Sequence, residues 1–446
     1  VSTADWWSQL SPFSPELLGL SQQVILVLCA IVSGLLGVYA MHVWILTFLA
    51  FRRRAPPTIS PPSAWPSVSV HVPVYNEKSV ISRLLDSILA FDYPRDKFEI
   101  IVVDDSSDGT TELARSYERN HPGLVTVIHR KNRDGFKAGA LRTALARSKG
   151  EFFAVFDADH IPPKDFLRRM IPYLSSDDTV AFAQARPTYL RDGDSWVTRA
   201  LTLGTDSYAF VDQEARFSAN LLTHFSGGGA VFRRKAVTSV GGWSSDTLAE
   251  DLDLSIRLRL KGWHYVYDES VTCPGEVPAS FSILRQQQFR WASGFAGCLK
   301  KHMRSLVTTE QMSLLQKAEA VVYLTDYVAS PLIAVGVVLA ILYCLVFPLN
   351  FIINGYRSDM LVTFTVLMSA LIYTAPLALF AVAAFRSTAG WLRRAGRLVD
   401  LVYLGVVSVA IFLTSARAVL NGFLNRAAYF YRTPKDGDAA TSRTGD

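Results

Sequence analysis

At Phe156–His160 the sequence reads FDADH, two carboxylates one residue apart at the end of an apolar run. Asp157 and Asp159 in that spacing suit a hard divalent cation. Mg2+ takes one or two carboxylates and fills its shell with water and substrate phosphates. A strand-ending Asx turn is the structural alternative for a lone D-x-D. A second acidic pair, Asp104-Asp105, closes another apolar run. Clustered carboxylates repel one another, so a cation partner is expected there too. The run TLAEDLDLSIRLRLKGW carries Glu250 and Asp251 at the start of a helical pattern. Acids there complement the helix dipole, and a carboxylate beside an acceptor hydroxyl also serves as a general base.

Three further stretches complete the set. FSGGGAVFRR holds Gly227, Gly228 and Gly229, read either as a flexible turn or as close approach of backbone to a ligand. NRDGFKAGAL puts Lys137 at a helix start, loosely like a phosphate loop but without the Walker pattern. In FSILRQQQFRWASG, Gln287 and Trp291 are four apart and Arg290 is three from Gln287, so a helix puts them on one face. Arg290 suits phosphate oxygens, and Trp291 suits the apolar face of a sugar ring. An interfacial Trp with a snorkelling Arg explains two of these residues, but not three successive amides.

The elements that would position these residues follow from periodicity. VSVHV, FEIIVVDD, LVTVIH and EFFAVFDAD are short, continuous apolar runs; Lys78–Ala90, Gly109–Asn120 and Phe136–Ser148 have helical spacing. Apolar strands alternating with amphipathic helices predict an α/β fold with an open, mostly parallel sheet. Ligands of such sheets sit at the carboxyl ends of the strands, where Asn76-Glu77, Asp104-Asp105 and Asp157-Asp159 fall. No G-x-G-x-x-G follows the first strand, which argues against a dinucleotide fold.

With 50% apolar and 19% charged residues in 446, the chain is too apolar for an ordinary soluble enzyme. The apolar residues gather at the ends. Residues 22–51, 321–351 and 360–385 have spanning length, and 398–424 reads as a transmembrane or interfacial helix, interrupted by Asp400 and Arg417. We expect an extracytoplasmic N-terminus (1–21), a first transmembrane helix, a Pro-rich linker (52–66) and a soluble domain (67–275). Interfacial amphipathic helices (276–320), the remaining apolar helices and a polar tail (425–446) follow. The first segment is too long for a cleaved signal, and its basic cluster, Arg52 to Arg54, follows it. With Arg386, Arg393, Arg394 and Arg397, that cluster places the domain on the cytoplasmic face of the cell membrane. The net charge of +6 comes largely from these arginines, and no nucleic-acid partner is expected. Four cysteines without paired spacing imply no disulfide framework.

HVPVYNE, the VDD pair, GFKAGAL, DAD, GGW…DTLAED and QQFRW occur in the order of the membrane-embedded family-2 glycosyltransferases. The chain resembles cellulose, hyaluronan and chitin synthases, and most of all bacterial proteins similar to plant mannan synthases. The resemblance runs from about Val68 onward and includes the tail YFYRTPKDG. It implies an α/β GT-A fold, a nucleotide-diphosphate-sugar donor, Mg2+ or Mn2+, and inversion at the anomeric carbon. By resemblance, Pro73, Tyr75, Glu77, Asp105, Lys137, Asp157 and Arg290 would bind the donor, Asp159 with Asp157 the metal. Asp251, with Glu250, would be catalytic; Gln287, Trp291, Gly228 and Gly229 would meet the acceptor. The family's usual Thr-Glu-Asp reads Ala249-Glu250-Asp251 here, losing a hydroxyl but keeping both acids.

Two products fit this signature: a β-linked polysaccharide made processively and secreted, or a glycolipid carrying one or a few sugars on diacylglycerol or ceramide. A shared motif set does not choose the acceptor. A non-catalytic sugar-nucleotide scaffold is disfavoured by intact acids at every expected place. The short polar tail after Arg432 is expected to hold no cyclic-dinucleotide sensor.

Overall fold

The protein is described by a computed structural model covering residues 15–52, 59–190, 195–278, 280–354, 360–388 and 390–424. The expected N-terminal segment before Pro15, linker residues 53–58 with Arg53 and Arg54, and the tail from 425 lie outside the described residues.

A long helix, α1 (Pro15–Phe51), leads to the domain. There follow β1 (Val68–Val74), α2 (Ile81–Leu89), β2 (Phe98–Asp104), α3 (Thr110–Asn120), β3 (Val125–His129), α4 (Phe136–Arg147), β4 (Phe152–Val155), α5 (Phe166–Ser176) and β5 (Val180–Tyr189). Next come α6 (Trp196–Ser207), one wider π-helical turn (Tyr208–Gln213) and α7 (Glu214–Ser218). The domain closes with β6 (Ala230–Arg233), α8 (Arg234–Ser239), α9 (Glu250–Leu260) and β7 (His264–Gly275). The remaining helices are α10 (Phe281–Thr308), α11 (Leu314–Leu324), α12 (Ala329–Asn354), α13 (Met360–Ser387) and α14 (Trp391–Phe423).

The seven strands form one sheet in the order β3-β2-β1-β4-β6-β5-β7. β1, β2, β3 and β4 are mutually parallel, with Val70 opposite Ile100 and Ala154. β6 runs antiparallel to β4 and β5, and β5 pairs parallel with β7. The sheet is therefore mixed but mostly parallel. Val68, Val70, Val72, Ile100 and Val102 are buried because helices cover both faces of the sheet. α2 presents Ile81, Leu84, Leu85 and Ile88 to this core, an i, i+3, i+4, i+7 stripe. Truncating Leu84 to Ala would cost about 2–5 kcal/mol.

Four helices, over Gly19–Phe51, Asp326–Leu345, Met360–Ser387 and Arg394–Phe423, are long and apolar enough to cross a membrane. Three boundaries differ clearly from the sequence reading. The last helix, expected from 398, begins at Trp391. The first helix starts at Pro15. The segment expected from 321 breaks at Thr325, where a short 3-10 turn (Asp326–Val328) separates α11 from α12. A capping box, Ser313 with Gln316, fixes the start of α11. Arg386, at the end of α13, ties two membrane helices to the domain. It donates to the carbonyls of Phe210 (2.5 Å) and Ala50 (3.4 Å) and pairs with Glu269 at 3.1 Å. The four cysteines are free.

Candidate active site

Asp157 and Asp159 follow β4, the fourth strand of the parallel half of the sheet. Their carboxylates and the His160 ring lie within 4.8 Å of one another. His160 Nδ1 accepts the Asp157 N–H at 3.1 Å. His160 thus stands with the two carboxylates as the third member of a group able to hold a metal ion. The Asp159 Oδ2 accepts the Glu276 N–H at 2.8 Å, and Arg83 braces the same corner through Glu276 at 2.8 Å. Two carboxylates converging at a strand end fit a hard divalent cation that takes its remaining ligands from phosphate and water.

The three glycines bring the loop before β6 against this corner. Gly227 has φ +81°, and a Cβ there would face Lys137 Nζ at 3.6 Å, Asp251 Oδ2 at 3.8 Å and Asp157 Oδ2 at 3.9 Å. A Cβ on Gly228 would lie 2.3 Å from His160 Cε1, and one on Gly229 2.9 Å from Cys273 Cβ. Gly228 and Gly229 thus lack side chains because protein already fills that space. Gly227 is the glycine that meets the carboxylates. Lys137, in the first turn of α4, binds Asp157 at 2.5 Å and the Gly227 carbonyl at 2.8 Å, and stands 4.0 Å from Glu250. Burial works against its charge, but Asp157 and Glu250 outweigh it and hold the ammonium protonated.

Glu250 and Asp251 open α9. Burial raises the pKa of both, and for Glu250 the neighbouring Asp251 charge adds to it. The Leu252 N–H bonds Asp251 at 2.7 Å. It, Lys137 and Arg290 pull the Asp251 value back, and the two cations do the same for Glu250. A carboxylate poised above its usual range is suited to accept a proton in a reaction. Arg290 therefore lies within electrostatic reach of both acids, although α10 is distant from α9 in sequence.

The contact between α9 and α10 is specific. Asp253 is fully buried and receives Lys301 at 2.6 Å, His302 at 2.8 Å and Arg257 at 2.8 Å. Gly294 sits so close to the residue before the acids that a Cβ would be 2.7 Å from Ala249 Cβ. Ser280 caps α10 by accepting the Ile283 N–H. One turn apart on this helix, Gln287 is half-buried and Trp291 is 36% exposed.

The acids after β2 are accounted for differently than expected. Asp104 is buried and bonds Thr111 (2.5 Å), His129 (2.7 Å) and the Ser106 N–H (3.1 Å). Both oxygens of Asp105 are held by Arg130, at 2.7 and 2.5 Å. A guanidinium therefore satisfies Asp105, while a hydroxyl, an imidazole and a backbone N–H satisfy Asp104. Nearby, Arg133 lies 3.3 Å above the Tyr75 ring, the Glu77 N–H donates to Thr110 at 3.0 Å, and Pro73 is paired with Val103 across β1 and β2.

Residues 69–241 match the family model described as glycosyl transferase family 2. These residues are a family 2 glycosyltransferase domain. Glucomannan 4-beta-mannosyltransferase 1 of Oryza sativa subsp. japonica is 34% identical over 302 residues, 66% of this chain and 57% of the relative. Glucomannan 4-beta-mannosyltransferase 9 of Arabidopsis thaliana is 33% identical over 293 residues, 64% of this chain and 54% of the relative. The chain thus spans a little over half the length of these curated relatives. Among solved structures, the mannosyltransferase PcManGT from Pyrobaculum calidifontis, in complex with GDP-Man and Mn2+, aligns with TM-score 0.56 at 24% identity. That alignment covers 90% of this chain and 100% of that one, and it supports the GT-A fold.

Sequence reasoning missed several parts of the family 2 site. His160 stood next to Asp159 in FDADH, but its partner is a backbone N–H that spacing does not show. Arg83 and Glu276 reach the Asp157–Asp159 corner from remote positions. Asp253 could have been found from its i, i+4 spacing to Arg257.

Proposed function

We propose that the chain is an inverting membrane glycosyltransferase that moves a hexosyl unit from a nucleotide-diphosphate sugar to a β-linked glycan, with secretion of a growing polymer. The relatives' names favour a mannosyl over a glucosyl donor. In this reading residues 67–275 are the transferase domain and 276–320 its membrane-edge helices, on the cytoplasmic face of the cell membrane. The observation that carries the proposal is the convergence of Lys137, Asp157, Glu250, Asp251 and Arg290 around Gly227.

Each residue then has a physical task. Asp157 and Asp159 would hold Mg2+ or Mn2+, which neutralises the diphosphate when bound. The Arg290 guanidinium bonds phosphate oxygens and stabilises the charge that develops on the leaving group. Pro73, Tyr75, Glu77 and Asp105 line the nucleoside end. Gln287 and Trp291 orient the acceptor sugar, lowering the entropic cost of encounter. Asp251 takes the acceptor hydroxyl proton as that oxygen attacks opposite the diphosphate, and Glu250 keeps the local charge balanced against Lys137.

A second reading, transfer to a lipid acceptor, is favoured by the small number of apolar helices among the described residues, which by themselves leave little wall for a polymer channel. Membranes incubated with labelled GDP-mannose or UDP-glucose and Mn2+ decide between them. Label in glycosidase-sensitive, high-mass material supports the polymer; label in organic-soluble lipid supports the second reading; no label from either donor defeats both.

A further inference from the structure

Gly227 meets the carboxylates from a loop, residues 221–229, that has no regular secondary structure. Glycines do not hold a backbone in place, so the position of this loop is set from outside it. Five consecutive residues are each tied to a different support. The Leu222 carbonyl accepts from Arg216 Nη1 at 2.9 Å, and Thr223 Oγ1 donates to Gln213 at 3.0 Å. The His224 ring pairs with the Tyr323 hydroxyl of α11. The Phe225 N–H donates to Ser255 at 3.0 Å, whose hydroxyl donates to the Asp251 carbonyl at 2.7 Å. The Ser226 N–H donates to Gln184 at 3.0 Å, and its hydroxyl bonds Tyr208 at 3.0 Å.

Among these supports Arg216 of α7 is the charged one, and it is fully buried. Its Nε bonds both oxygens of Asp212 at 3.0 Å, its Nη1 reaches Glu319 of α11 at 2.6 Å, and the guanidinium carbon lies 3.7 Å from the centre of the Tyr323 ring. Burial works against the charge, but Asp212 and Glu319 outweigh it and keep the guanidinium protonated. Glu319 in turn pairs with His42 of α1 at 3.0 Å. The π-helical turn carrying Asp212 and Gln213 is held from α13, where Arg386 donates to the Phe210 carbonyl. Buried ion clusters add little stability over apolar side chains of equal volume. What this one adds is direction. A guanidinium is a planar, rigid fork, so the nitrogen that holds Glu319 also dictates where the Leu222 carbonyl stands. The wider turn, a feature frequent at functional sites, aims Asp212 at Arg216 and Gln213 at Thr223.

We propose that Arg216 is a positioning residue for glycosyl transfer: it locks the start of the 221–229 loop to α1 and α11, and thereby sets the distance from Gly227 to Lys137, Asp157 and Asp251. It acts through the Leu222 carbonyl and not on the reacting atoms. The proposal rests on the reading of those three side chains as part of the transfer site.

The test compares two variants with the wild-type, full-length protein in nanodiscs. Arg216→Lys keeps the charge but offers one nitrogen where the guanidinium uses two. The triple variant Asp212→Leu/Arg216→Met/Glu319→Leu removes the charges together, an exchange that buried ion clusters often tolerate without loss of stability, and leaves the Leu222 carbonyl without its donor. In both, kcat with labelled GDP-mannose or UDP-glucose should fall about 10–100-fold, the cost of a misplacement near 1 Å, while the nucleotide-sugar Kd is unchanged. Hydrogen–deuterium exchange of the amides in 222–229 should quicken, with that of β1 and β4 unaltered. If Arg216 served stability alone, a triple variant that melts like wild type would regain wild-type kcat, and that result overturns the proposal. Wild-type protection of 222–229 in either folded variant overturns it too. This second readout needs no donor, so it separates failure of the positioning role from failure of the assigned reaction.

Discussion

Replacing Gly228 by Ala tests the metal corner without touching a carboxylate. Its Cβ would stand 2.3 Å from His160 Cε1, 2.8 Å from Nδ1 and 3.2 Å from the Asp157 nitrogen. Carbon atoms rest at about 3.5–4.0 Å, so the ring must retreat by more than about 1 Å. Nδ1 now accepts from Asp157 N at 3.1 Å, and such a retreat takes it beyond hydrogen-bond reach. Overpacking alone costs about 1–3 kcal/mol. If the loop yields instead of the ring, Asp157 and Asp159 move, and metal–ligand distances tolerate only about 0.2 Å. We expect the Mn2+ concentration at half-maximal binding to rise about 10–100-fold, the range for losing an outer partner of a metal ligand. Mn2+ titration followed by electron paramagnetic resonance reads this directly, with a thermal melt to confirm folding. In the double variant Gly228→Ala/His160→Ala the clash is gone, so it should match His160→Ala alone. A folded Gly228→Ala protein with unchanged Mn2+ affinity and turnover would refute the reasoning.

Asp251→Asn should retain donor binding in a nucleotide-sugar titration and lose transfer by about 10²–10⁴-fold, the span of general-base contributions; an active Asn variant contradicts the base assignment. Lys137 lowers the pKa of both buried acids, so Lys137→Gln should move the acid limb of the kcat/KM–pH profile upward, with activity lost at a higher pH as pH falls; an unmoved limb rejects that coupling. Asp253 is held well below its ordinary value, against burial, by His302, Lys301 and Arg257. Its stabilisation is therefore present above the unfolded value of 3.8 and fades as pH drops below it. Asp253→Asn should cost about 3–5 kcal/mol in chemical denaturation, as breaking buried charge pairs does, and equal stability of the two proteins would argue against the clamp. Gly294→Ala should lower turnover more than donor affinity, because α10 must shift relative to α9, and a displacement near the chemistry of about 1 Å can cost about 100-fold; comparison of kcat with donor Kd decides it.

Much of the parallel half of the sheet was legible because its strands are continuous apolar runs closed by acids. FEIIVVDD and EFFAVFDAD announce both a strand and the site at its end. β6 was not legible: four residues after three glycines carry no period, and its antiparallel insertion between β4 and β5 is a tertiary choice. The partners of Asp104 and Asp105 were not legible, because spacing shows charge but not what answers it: Thr111 and His129 bond Asp104, and Arg130 holds Asp105. Glu250, Asp251 and Arg290 were legible as residue types, whereas the clamp that unites their helices depends on Lys301 and His302, some fifty residues from Asp253. Hydropathy gave α14 its length and apolar character, but which face meets protein is set by Asp206, Arg199 and Ser293, none of them in that segment.

Helix α10 is squeezed from two directions. A Cβ on Gly422 would come within 2.7 Å of Ala296 Cβ, while a Cβ on Gly294 would meet Ala249 at the same distance on the other flank. No slack exists between α14 and Ala249, the residue before Glu250. A displacement of α14 would therefore be passed through α10 to the start of α9, where Glu250 and Asp251 stand.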